Sequence, residues 1–145
     1  MLKHITLYSS ATVLEGETVT GYGLILKYAQ SIKEQQGIQT SCSVNQMELK
    51  AVIEGLKLLK EPCEVTIITD AIYVVKGINI WLEKWQQRDF QKVMNLDLWR
   101  DYLKVSATHN ITAQRVADYI RYPELARCSA LAIQSVEKMS KSKNL

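Results

Sequence analysis

The order of patterns along the chain predicts an α/β fold in one domain. Three β-patterned runs come first, a helical period replaces them at Asn45, and a short apolar strand follows that helix and leads into further helices. A length of 145 residues leaves room for one core and hardly for two. Apolar residues at 47% and charged residues at 23% exclude a disordered chain, and six Gly and two Pro exclude collagen-like or low-complexity segments.

The first run, Ile5-Thr6-Leu7-Tyr8, alternates and is rich in β-formers. A second, over 22–28, follows a polar turn around Glu15-Gly16-Glu17, and the two read as a hairpin. A third strand spans 31–41, where Gln35-Gln36-Gly37 could be a bulge or a turn. From Asn45, Leu49, Val52, Ile53, Leu56 and Leu59 recur at helical spacing behind a capping-box pattern of Ser43 and Gln46, and that helix ends near Pro62. The run 65–69 reads as a buried strand with Asp70 at its carboxyl end. Helical stretches at 71–88, broken around Gly77, and at 97–107 come next, then a strand at 111–116 and a last helix at 124–138. The domain is placed at 1–139, with a frayed basic tail at 140–145.

No run of about 18 apolar residues exists and the first residues lack a signal-like apolar core, so a cytoplasmic location is expected. Cys42, Cys63 and Cys128 lack paired spacing and read as buried free thiols rather than a zinc site or disulfides. His4 and His109 are adjacent to no ligand-like set and read as solvated or structural. The net charge of +3 is unevenly spread: residues 1–73 carry 6 basic and 8 acidic side chains, residues 74–145 carry 12 and 7. Attraction for phosphate should come from the second half.

Six ordered blocks carry a resemblance: Gly21-Tyr-Gly-Leu-Ile-Leu, Asn45-Gln-Met-Glu-Leu-Lys-Ala, Val65-Thr-Ile-Ile-Thr-Asp-Ala-Ile-Tyr-Val, Gly77-Ile-Asn-Ile-Trp, Leu96-Asp-Leu-Trp and Pro123-Glu-Leu-Ala-Arg-Cys-Ser-Ala-Leu-Ala. Over residues 1–138 the chain resembles bacterial type 1 ribonuclease H. The resemblance implies a five-stranded mixed sheet, three antiparallel strands then two parallel, flanked by helices. It also implies cleavage of the RNA strand of RNA–DNA hybrids by two divalent cations held by four carboxylates. Oxygen ligands and compensating negative charge are what two hard cations need.

Against that pattern two acids match, Glu48 in the first helix and Asp70 after the fourth strand. Ser10 and Ser129 stand where the other two are expected, and a serine hydroxyl is a poor ligand with no negative charge. Tyr119 stands where the family's loop His would fall, Val44 and Ile72 replace polar substrate contacts, and Glu15, Glu17 and Asp118 are the nearest substitute acids. The expectation is therefore a catalytically inactive protein, not an enzyme, that requires no cofactor, with Glu48 and Asp70 binding Mg²⁺ or Mn²⁺ weakly at most. Glu48 would bond Ser10 or nearby backbone, and Asp70 would cap the helix beginning at Ala71.

A basic and aromatic segment, Lys76, Trp81, Lys84, Trp85, Arg88 and Lys92, keeps the residue types that stack bases and bind phosphates, with Phe90 and Trp99 nearby. Trp81 and Trp85 also lie at the spacing of a core-facing helix. The leading expectation is binding of RNA–DNA hybrid or duplex through this surface. Two alternatives are a protein-interaction or self-associating scaffold using Val44, Ile72, Tyr119 and Tyr122, and a residual metal-dependent hybrid endonuclease.

Overall fold

The computed structural model describes residues 1–14 and 19–143; the turn expected around Glu15-Gly16-Glu17 lies outside them. Five strands, β1 (Lys3–Val13), β2 (Val19–Tyr28), β3 (Ser31–Thr40), β4 (Cys63–Thr69) and β5 (Asn110–Arg115), form one mixed sheet in the order β3-β2-β1-β4-β5. β1 and β3 run antiparallel to β2, while β4 is parallel to both β1 and β5. The helices are α1 (Val44–Lys57), α2 (Ile72–Lys76), α3 (Leu82–Gln87), α4 (Leu96–Ser106) and α5 (Pro123–Lys143).

Strand alternation divides the core between the two faces of the sheet. Ile5, Leu7, Leu24, Leu26, Val65 and Ile67 point to the side covered by α1, whose Leu49, Val52, Ile53 and Leu56 complete the larger cluster. Tyr8, Ile25 and Ile68 point to the other side and meet Cys128 of α5. That helix lies very close to β2: a Cβ on Gly23 would stand 2.2 Å from the Cys128 carbonyl oxygen, so only glycine allows the approach. All three cysteines are buried free thiols.

Helix α1 begins as its sequence dictates. The Ser43 side chain accepts from the Gln46 N–H, and the Gln46 side chain accepts from the Ser43 N–H. The break expected around Gly77 is instead a π-helical turn, Gly77–Trp81, that joins α2 to α3 without interruption. A Cβ on Gly77 would fall 2.1 Å from the ring of fully buried Trp99, so the widened turn and the missing side chain together admit the indole.

Two further expectations are corrected. Gln35-Gln36-Gly37 is neither bulge nor turn, because β3 pairs with β2 without a slip from Ser31 to Thr40. The tail expected to fray at 140–145 continues α5 as far as Lys143. No helix among the described residues is long and apolar enough to cross a membrane.

Candidate active site

The carboxyl ends of β1 and β4 lie side by side and set the site. Their parallel register ends at the pair Ser9 and Thr69, so Ser10 and Asp70 are the next residues on adjacent strands. The Thr69 hydroxyl donates to the Ser9 carbonyl at 2.9 Å and accepts from the Ala71 N–H at 3.2 Å. Thr69, and not Asp70, therefore secures the entry to α2, and the Asp70 carboxylate is left free of a capping duty.

Helix α1 packs across β1 and β2 on its apolar face and brings Glu48, on its flank, toward Asp70. Burial, reinforced by the negative charge of Asp70, pushes the Glu48 carboxyl up to about 7. No positive side chain contributes to that shift.

The loop between β5 and α5 closes the other side. Tyr119 donates its phenol proton to Asp70 Oδ2 at 2.5 Å. Hydroxyls of Ser10 and Ser129 also act on the phenol, so the chain brings Ser10, Asp70, Tyr119 and Ser129 together. Burial and the Asp70 bond both raise the phenol's pKa, keeping it a neutral donor. Asp118 Oδ1 accepts from the Ile120 and Arg121 N–H groups at 3.1 Å each, which ties that oxygen into the loop's own turn. Glu15 and Glu17 lie outside the described residues.

Beyond the site lies a cleft of about 320 Å³ lined by Tyr73, Trp81, Trp85, Arg88, Lys92, Val93 and Met94. Four of the six basic and aromatic candidates thus share one surface, while Lys76 and Lys84 are exposed outside this lining. Trp99 belongs to the core. It tilts or stands edge-on against Tyr73, Trp85 and Tyr102.

A polar chain missed by sequence reasoning joins cleft and site. Gln46 donates to Asn95 Oδ1 at 3.0 Å, Asn95 donates to the Tyr73 hydroxyl at 2.9 Å, and Trp99 Nε1 donates to the same hydroxyl at 2.9 Å. Gln46 sits two residues before Glu48, and Asn95 takes a left-handed φ of 58° to reach both partners. The other alternative surface is divided: Tyr122 packs against the Tyr8, Ile25, Ile68 and Cys128 cluster, Tyr119 turns to Asp70, and Ile72 is exposed.

The sequence profile of the RNase H family matches residues 3–122. A protein named ribonuclease H from Sulfurovum sp. (strain NBC37-1) is 47% identical over 140 residues, covering 97% of this chain and 95% of its own. The chain belongs to the RNase H family. Ribonuclease H of Helicobacter pylori (strain HPAG1) is 37% identical, over 97% of this chain and 99% of its own. Among solved structures, the crystal structure of LC9-RNase H1, a type 1 RNase H with the type 2 active-site motif, aligns with a TM-score of 0.83 at 22% identity, covering 92% of this chain and 72% of that one. LC11-RNase H1, solved in complex with RNA/DNA hybrid, aligns at a TM-score of 0.66 and 15% identity over 93% and 98%.

These relatives overturn the expectation of an inactive, non-enzymatic protein, because ribonucleases H match it over nearly their entire length. They overturn equally the expectation that no cofactor is required, since hydrolysis in this family depends on metal. Counting lost acids gave too little weight to what remains, a Glu48 carboxyl pushed up to about 7 by burial and by the nearby charge of Asp70. The donor set fits one hard divalent cation between Glu48 and Asp70, with neutral oxygens beside it. It does not fit two held by protein carboxylates, and no group of three or more His, Cys, Asp or Glu side chains suited to a metal occurs among the described residues.

Proposed function

We propose that this protein is a metal-dependent ribonuclease acting on the RNA strand of RNA–DNA hybrids, and that it is a divergent member of its family working with two of the four expected carboxylates. Glu48 and Asp70 would hold the cation, while Ser10 and Ser129 offer hydroxyl oxygens in place of the other two acids. The observation that carries this reading is the Glu48 carboxyl, pushed up to about 7 by burial and by the charge of Asp70 beside it, a cost that a divalent cation would relieve. When bound, such a cation supplies positive charge and Lewis acidity at the scissile phosphodiester.

The chain's own groups do the rest. Glu48 must release its proton for the cation to bind, so affinity should weaken as pH falls below about 7. Trp81 and Trp85 offer faces on which bases stack, and Arg88 and Lys92 neutralise phosphates on the same wall of the cleft. Lys76 and Lys84 add charge outside it. The Gln46, Asn95 and Tyr73 bonds hold that wall in register with the helix that carries Glu48.

Cleavage of a labelled hybrid with Mg²⁺ or Mn²⁺ tests the reading. Activity should disappear in Glu48→Gln and Asp70→Asn and rise when Ser10→Asp and Ser129→Asp are combined. Absence of cleavage with either cation, or cleavage indifferent to Glu48→Gln and Asp70→Asn, would overturn it.

A further inference from the structure

The loop from Val116 to Tyr122 is fastened at both ends. The Val116 N–H donates to the Thr69 carbonyl at 2.9 Å, beside the end of β4, and Tyr122 packs into the cluster under α5. Between these anchors the Asp118 turn separates two consecutive side chains: Ile120 is 94% exposed, whereas Tyr119, 38% exposed, reaches Asp70 with its hydroxyl. Tyr119 thus ties the middle of the loop to the site through one hydrogen bond from its hydroxyl.

That bond falls on the carboxylate that a cation would use. The hydroxyl donates, so the positive end of its O–H dipole occupies a lone pair of Asp70 and supplies no negative charge in return. Ser10 and Ser129, which face the same phenol, are short enough to leave room for the ring. The small hydroxyls and the large phenol therefore form one packed arrangement.

We infer that Tyr119 is a removable stopper on the cation site: its hydroxyl competes with a divalent cation for Asp70, and loading requires the 117–122 loop to swing out. The inference rests on the reading of Glu48 and Asp70 as the cation pair. Tyr119 would be a positioning residue that sets cation affinity, and loop opening would be coupled to cation binding.

Titration calorimetry with MnCl₂ on wild type, Tyr119→Phe and Tyr119→Ala tests it, with amide hydrogen exchange over 117–122 as a second readout. Losing the competing bond should tighten Mn²⁺ binding about five-fold in both variants, equivalent to about 1 kcal/mol. Exchange in the loop should quicken in Tyr119→Phe without metal, and in wild type only when Mn²⁺ is added. Wild-type Mn²⁺ binding with unchanged or weaker affinity in both variants would overturn the stopper and leave the cation site standing. Failure of all three proteins to bind Mn²⁺ would overturn the cation site and the stopper with it.

Discussion

Replacing Glu48 by Gln should stabilise this protein, by an amount that grows as pH rises from about 4.5 to about 7. In the unfolded chain Glu48 titrates near the ordinary 4.5, whereas in the fold burial and Asp70 hold it at about 7. Between those values the native state binds more protons than the unfolded state, so stability falls as pH rises through that window and levels off above it. Each tenfold change in proton affinity corresponds to about 1.4 kcal/mol, which would set the full penalty near 3 kcal/mol. Glu48 is only half-buried and solvent screens it, which reduces the cost to about 1–2 kcal/mol.

For a chain of 145 residues this corresponds to a rise in Tm of about 3–6 °C in Glu48→Gln at pH 8. At pH 4.5, where the wild-type side chain is mostly protonated and isosteric with Gln, the two proteins should melt together. Thermal melts followed by circular dichroism between pH 4.5 and 8, in buffer with chelator, measure the difference directly. A variant that is less stable at every pH, or a gap that does not widen as pH rises, would refute the reasoning that Glu48 and Asp70 form a strained pair. Added MnCl₂ should raise the wild-type Tm at pH 8 and leave Glu48→Gln nearly unmoved, because the same repulsion that destabilises the fold is what a cation relieves.

Three other substitutions test separate parts of the structure. Gly77→Ala would drive a methyl into the Trp99 ring and should cost about 2–3 kcal/mol in denaturant unfolding, more than a helix-favouring change could return. Ser43→Ala removes the α1 cap and should cost about 1 kcal/mol with no change in the pH dependence of stability. Arg88→Ala combined with Lys92→Ala should weaken hybrid binding and reduce the slope of log affinity against log salt by about 2, measured by fluorescence anisotropy.

Sequence periodicity was sufficient where packing follows a repeating pattern. The capping box at Ser43 and Gln46, the apolar stripe of α1 and the buried run of β4 were all legible because each is a local consequence of residue type. The uninterrupted pairing of β3 was not, since the side chains of an edge strand are mostly exposed and need show no apolar alternation; Gln35-Gln36-Gly37 then looks like punctuation. Gly77 looked like a break for the same reason, while its role is set by an indole 22 positions away. Among the aromatics, spacing could not tell that Trp99 fills the core while Trp81 and Trp85 stay partly open to the cleft.

The site shows the same division more sharply. Resemblance placed Ser10, Glu48, Asp70 and Ser129 at equivalent positions, and the structure brings Ser10 and Asp70 onto neighbouring strand ends and Ser129 against the same phenol. It could not show that Tyr119 would turn onto Asp70, because that bond joins residues 49 positions apart through a loop whose course is fixed by Val116, Asp118 and Tyr122. On the proposed reading, the exchange of acid for hydroxyl has a consequence beyond lost ligands. Each serine would remove a negative charge and open volume, and the phenol fits beside two hydroxyls and a single Asp. On the proposed reading the same substitutions that reduce the site to one cation also create the room for a competitor of that cation, so affinity and loop position become a single equilibrium.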